Sequence, residues 1–519
     1  MTLHSQRLPA IFVASRRVWL VVLVTLGLCQ AGLAIASIWL LQSLWDNPLL
    51  TQPLLLLLTL TVALFFLQLG QHRIAEQVAQ HYLVDAREVL YSHLMSASND
   101  RLPARLGVAM NRLITDSNSL KNWVGRGIAS AICQTCALLA YLVVCAIYWP
   151  KMLFILCLMT ALSIIITLMC RIKITTLTLA IRQLRGRLSG HLCERSFAPH
   201  TVLNIAQLGK ETRHVSKNSQ RLGDAMVALT VPGSCLKYHS LVLSQLAFIL
   251  AIFNSDGQLD KNQLLPVLLL FGLFFATLSS LNRASFDYFV FAVAKQRLNI
   301  ALAKADKMPI QKTNKLTRYV PLAVKLKQLS YTGVFENLNY SATAGQRINI
   351  YGASGSGKSL LCALFNKQLS PSSGQIVLAG RRIDWLQPRR LQLCVQLISQ
   401  HSQLFKGTLL SNIRYANQRI PLTTITALAA QLGINNSELM QPVHELGRHL
   451  PSGLRIRTLL IRALIKQPGL LILDDPSLLQ ETALLQQLLS DHELVSATII
   501  LCQQQQSTLS NIDQYWPID

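Results

Sequence analysis

The stretch Gly352-Ala353-Ser354-Gly355-Ser356-Gly357-Lys358-Ser359 has the residue types and spacing of a phosphate cradle, G-x-x-x-x-G-K-[ST]. Glycines let backbone N–H groups close around phosphate oxygens, and the helix that follows adds its dipole. A lysine at the place of Lys358 reaches the β- and γ-phosphates of a nucleoside triphosphate, and the Ser359 hydroxyl can ligate Mg²⁺. The motif follows the apolar run Ile348-Asn349-Ile350-Tyr351 and leads into Leu360-Leu361, so strand, loop and helix are expected in that order. That context separates it from a chance glycine-rich turn. A second group, Leu470-Leu471-Ile472-Leu473-Asp474-Asp475, reads as a buried parallel strand ending in two carboxylates. An acid in the place of Asp474 can hold the Mg²⁺ of a phosphate-loop NTPase.

These groups need a framework. Val324 to Leu329, Arg347 to Tyr351 and Gln375 to Leu378 read as strands among glycine and turn residues. Upstream the chain is different in kind. Of its 519 residues 51% are hydrophobic and only 14% charged, against roughly 25% charged in soluble domains, and mean hydropathy is +0.36. This excludes disorder, and 11 scattered cysteines do not read as a disulfide scaffold.

Six apolar stretches can span a hydrocarbon core of ~30 Å. They are about Val18 to Leu41, Pro53 to Leu69, Ile128 to Trp149, Met152 to Cys170, Leu241 to Phe253 and Leu264 to Leu281, the fifth being the shortest. The first is too long for the apolar core of a cleaved leader, and five more follow. The segment from Gln71 to Arg126 carries seven Lys/Arg and that from Arg171 to Ser240 eleven, whereas the short alternating loops hold only Lys151 and Lys261. The positive-inside rule then places both long segments and both termini in the cytoplasm. Membrane topology thus accounts for much of the net charge of +24, and no aromatic-interleaved basic patch points to nucleic acid. Both long segments read as helical, with Glu76 and Gln80 one turn apart. The expected division is a six-span domain over 1–300, a linker over 301–322 and a nucleotide-binding domain over 323–519.

In order and content these motifs resemble a half-transporter of the ATP-binding cassette (ABC) exporter superfamily. The resemblance implies a multi-domain fold: an all-α six-helix transmembrane bundle followed by an α/β P-loop NTPase domain. Arg105 to Asp116 is similar to the family's first intracellular loop and Glu194 to Arg221 to its second. Ile398-Ser399-Gln400, Leu404 to Thr408 and Asn412-Ile413 match the Q-loop region, which implies that Gln400 senses Mg²⁺ or the attacking water. The implied ligands are ATP, bound around Gly352 to Leu360, and Mg²⁺ on Ser359, Gln400 and Asp474. Tyr331 is in a setting suited to the adenine-stacking aromatic, although the turn after it is shorter than usual.

The departures fall on hydrolysis. The family signature Leu-Ser-Gly-Gly-Gln aligns with Leu450-Pro451-Ser452-Gly453-Leu454, leaving Ser452 and Gly453 to face a γ-phosphate on the opposite subunit. Pro451 has neither hydroxyl nor N–H. The general-base position holds Asp475, one methylene shorter than the usual Glu. The D-loop aligns with Leu478-Leu479-Gln480-Glu481, and Gln504 stands where the switch histidine is expected, with Ser507-Thr508 beyond. Glutamine can hydrogen-bond a phosphate but carries no proton. The chain reaches Asp519 without the family's usual last elements.

The expectation is therefore an exporter subunit in the cytoplasmic (inner) membrane that binds Mg-ATP, cleaves it poorly and works as a dimer, identical or mixed, on an unknown solute. The alternative is a non-transporting, ATP-binding membrane protein that regulates or anchors another complex. Cys133-x-x-Cys136 reads as packing within the third span, and the twelve histidines show no metal-ligand spacing.

Overall fold

Apolar runs long enough to cross a bilayer satisfy their own backbone as helices, and the computed structural model has six such helices among the described residues. It describes residues 8–12, 14–46, 51–96, 110, 112–196, 199–253, 261–303, 316, 319–491, 495–506 and 509–518. Arg105 to Ala109, Asn111 and Ser507-Thr508 lie outside these, as does most of the expected linker. The chain divides into two units, the described residues up to 303 forming the first and those from 316 on the second.

In the first unit α1 is Ala14–Asp46, α2 Thr51–Ser96, α3 Ser117–Asn122, α4 Ile128–Tyr148 and α5 Pro150–Ser196. The short α6 (Pro199–Asn204) leads to α7 (Leu208–Phe253) and α8 (Lys261–Ala303). The fifth span, shortest in the sequence, is the end of the continuous 46-residue α7. The long basic segments are largely extensions of the spanning helices, and Gln80 Nε2 donates to Glu76 Oε1 at 2.7 Å on one of them.

Small residues and aromatics fill the bundle: Ala31, Ala137 and Ala247 pack with Phe271, Phe274 and Phe275. Large apolar side chains such as Phe66, Phe154 and Ile165 face outward, as in a lipid-facing surface. Two polar knots tie helices together. Arg182 of α5 pairs with the buried Asp116 and donates to Ser119 Oγ at 2.8 Å. His239 Nε2 lies 2.8 Å from Ser163 Oγ, and Asn282 Nδ2 lies within hydrogen-bond reach of both.

The second unit holds two five-stranded sheets. The first, with antiparallel pairings, joins β1 (Val324–Tyr331), β2 (Phe335–Leu338) and β3 (Ser341–Ala342) to β5 (Ser373–Leu378) and β6 (Arg381–Arg382). The second is parallel, in the order β12-β4-β11-β10-β7. Its strands are β4 (Arg347–Tyr351), β7 (Val395–Ser399), β10 (Leu470–Asp474), β11 (Thr498–Gln503) and β12 (Gln514–Pro517). β8 (Gly407–Thr408) and β9 (Pro442–Val443) form a small ribbon. The near-continuous Leu/Ile character of β10 and β11 suits strands covered on both faces.

β12 adds a strand that the sequence pattern does not mark. Gln514–Pro517 supplies a strand of the central sheet beside β4, and the buried Trp516 fixes it. Arg347 Nη1 and Nη2 donate to the carbonyls of Ala497 and Val495 at 2.7 and 3.0 Å, while its backbone N donates to Asp513 Oδ2.

Candidate nucleotide site

The cradle is built where β4 ends. Gly352 to Gly357 turn from the strand into α9 (Lys358–Phe365), whose buried Leu361, Leu364 and Phe365 anchor it in the domain core. Gly352 must lack a side chain, because a Cβ there would come within 2.1 Å of the Ile518 carbonyl beyond β12. Lys358 Nζ donates across the loop to the carbonyls of Gly352 and Ala353 at 2.7 and 2.6 Å.

The central sheet then carries the other groups alongside. β7 pairs in parallel with β10, so Ser399 stands opposite Asp474 and the exposed Gln400 follows at that end. The Ser359 hydroxyl lies close enough to Asp474 to influence its carboxyl. Burial pushes the Asp474 carboxyl above its ordinary range, against the Ser359 hydroxyl and the charge of Lys358, which pull it down. A cation would relieve that burial cost.

The residues present fit a magnesium nucleotide. Ser359 and Asp474 are neighbouring hard oxygen donors, the kind Mg²⁺ takes beside phosphates. Gly355 has φ +92°, and a Cβ there would meet nothing within 4 Å, so the middle of the loop is open space that any side chain would begin to fill.

On the hydrolysis side the charged groups are already engaged. Asp475 is buried, accepts from Ser477 N at 2.9 Å and pairs with Arg455 Nη2 at 3.2 Å. Arg455 comes from α13, numbered after α10 (Pro388–Cys394), α11 (Leu409–Arg414) and α12 (Leu422–Gln431); α13 itself is Ser452–Leu464. Glu481 pairs with Arg457 of the same helix at 2.7 Å and lies against Gly453, where a Cβ would come within 2.4 Å of Glu481 Oε1. Ser452 opens α13 after Pro451, exposed. Gln504 is exposed just beyond β11, and Tyr331 is half-buried at the end of β1, 6.4 Å from the Phe335 ring.

Lys358, Ser359 and Asp474 thus lie near one another, with Gln400 at the adjoining strand end. Ser452, Gly453 and Asp475 gather around the start of α13. The two acid–arginine pairs were not foreseen; the signal was present as Arg455 and Arg457, one turn-face apart from Asp475 and Glu481 only after folding.

Two family models match: ABC transporter transmembrane region over residues 20–278 and ABC transporter over 335–478. "ABC transporter B family member 19" of Arabidopsis thaliana is 30% identical over 189 residues, 35% of this chain and 15% of that protein. "ATP-dependent lipid A-core flippase" of Pseudomonas putida is 32% identical over 211 residues, 38% of this chain and 35% of that protein. These matches thus span only 15 and 35% of the length of the two relatives. A bacterial Atm1-family ABC exporter with ATP bound superposes with a TM-score of 0.86 over 97% of this chain and 93% of that one, at 18% identity, a likeness of fold. With both family regions in one chain, six helices long and apolar enough to span a membrane among the described residues, and the phosphate loop on its parallel sheet behind, the protein belongs to the ABC transporter family and has the fold of an Atm1-family exporter chain.

Proposed function

We propose that this chain is one half of an ATP-driven exporter in the cytoplasmic membrane, with both termini in the cytoplasm. Two halves, identical or mixed, carry an as yet unidentified solute outward. The bias of Lys and Arg toward the long segments supports that orientation. Lys358 and the backbone of Gly352 to Leu360 bind the phosphates, and Tyr331 meets the base. Ser359, Asp474 and Gln400 would hold Mg²⁺, which supplies neutralisation of phosphate charge when bound. Ser452 and Gly453 face the nucleotide of the opposite half. Asp475 and Gln504 are the groups left to orient water.

Hydrolysis is weak in this reading, and one observation carries it. Asp475, the only acid at the general-base position, is buried and already accepts hydrogen bonds from Arg455 and the Ser477 backbone. A carboxylate so committed, and a methylene short, is poorly placed to take a proton from water. ATP binding then does most of the work of closing the two halves, with slow cleavage resetting them.

The same observation favours a second reading, a membrane protein that changes shape on ATP binding without moving a solute. Purified chain in lipid nanodiscs tests the hydrolysis reading through ATP binding and turnover, with Lys358→Ala beside it. Binding with turnover far below about one per second supports weak hydrolysis, and turnover near that rate overturns it. ATP-dependent solute movement in vesicles then separates exporter from sensor.

A further inference from the structure

Far along the cytoplasmic extensions of the bundle, two long helices meet at the turn that contains α6. His191 projects from α5, and Glu211 and His214 project from the first turns of α7. Glu211 and His214 are three residues apart, the Glu-x-x-His spacing that puts two ligands on one helix face. That two-ligand spacing does not by itself mark a site in the sequence, because the third donor lies on another helix and only the turn brings it in.

We propose that His191, Glu211 and His214 form a binding site for a single divalent transition-metal ion of the zinc type. Ligands around 2.0–2.2 Å from a tetrahedral zinc ion stand roughly 3.3 Å from one another. His191 Nε2 is 2.9 Å from Glu211 Oε2 and 3.3 Å from His214 Nδ1, and the ligand atoms of all three lie within 4.8 Å.

An ordinary hydrogen-bonded cluster does not account for this arrangement. One nitrogen, His191 Nε2, faces both the carboxylate and the second imidazole, and a single proton there can serve only one of them. Glu211 Oε2, shielded from solvent, lies 2.9 Å from that ring but outside hydrogen-bond geometry, so its charge is met there only by an imidazolium or by a bound cation. Such an oxygen is costly unless something positive satisfies it. Glu211 Oε1, in turn, lies 3.4 Å from Arg195 Nε, which fixes the carboxylate from behind in the way outer-shell partners orient metal ligands. Two imidazoles and one carboxylate suit Zn²⁺ better than Mg²⁺ or Ca²⁺, and the exposed side of His214 leaves room for water as a fourth ligand.

The ion would close the segment between His191 and Glu211 into a loop and hold α6 at its tip. All three ligands belong to the first unit, so the site stands whether or not the chain transports anything.

The test uses the full chain in nanodiscs with its thiols alkylated, since 11 free cysteines would otherwise compete for metal. Zn²⁺ is titrated and the retained metal counted after gel filtration. Wild type is expected to hold one equivalent more than the His191→Ala/His214→Ala double variant. Glu211→Gln, nearly isosteric, should weaken that equivalent by at least ~10-fold. Backbone hydrogen exchange over 199–207 should slow on adding Zn²⁺ to wild type and not to the double variant. Retained ATP binding by the variants checks that they are folded, because no ligand belongs to the nucleotide site. Equal zinc content in wild type and the double variant overturns the proposal.

Discussion

The phosphate loop and the start of α13 treat their charges in opposite ways. Lys358 is held by two backbone carbonyls and the Ser356 hydroxyl of its own loop, partners that a phosphate outbids easily. Asp475 and Glu481 instead each have an arginine of α13, and Asp475 has a backbone N–H as well. The loop keeps its polar groups available for a ligand, whereas the acids near α13 are satisfied within their own chain. Binding and cleavage can therefore diverge in one domain, although both draw on the C-terminal ends of strands in the same parallel sheet.

That contrast can be broken most sharply at Lys358. Lys358→Ala removes a charged donor to phosphate and should cost about 3 kcal/mol, roughly 150-fold in ATP affinity by equilibrium binding. Unchanged affinity would mean that the loop is no more available than α13. Next in size is Asp475→Glu, which returns the missing methylene. Turnover should rise by as much as ~100-fold, the scale of an ångström's misplacement, with ATP affinity unchanged. No rise in steady-state assay would place the block elsewhere, at Pro451 or Gln504.

A smaller effect tests the pairing itself. Arg457→Ala leaves Glu481 without its partner at a half-exposed site, worth about 1 kcal/mol and seen as a modest fall in thermal midpoint. The smallest concerns α9. The Cys502 thiol 3.2 Å away, with burial, pushes the Cys362 thiol well above its ordinary range. Thiolate is the nucleophile, so alkylation of Cys362 should stay slow at neutral pH and quicken only in strongly alkaline buffer. Rapid labelling at neutral pH would show that the loop's helix opens readily.

What the sequence disclosed follows from distance along the chain. The loop, the strand before it and the helix after it are contiguous, so spacing alone exposes them. The six spans are equally local, since each is one uninterrupted apolar run. Asp475 with Arg455, and Glu481 with Arg457, meet only because α13 packs beside the end of β10, and no periodicity records that. His191 is hidden for the same reason. β12 was missed because four residues ending in Pro517 offer too little alternation to mark a strand; what makes them one is the free side of β4.

The position of β4 also bears on how the domain is made. It is flanked by β11 and β12, both of which leave the ribosome long after it does. Until then β4 has two bare edges and nothing lies over Gly352. The phosphate loop, early in the domain's sequence, is thus late in its assembly, and a nascent chain cut short before Thr498 would carry the whole motif without the sheet that shapes it.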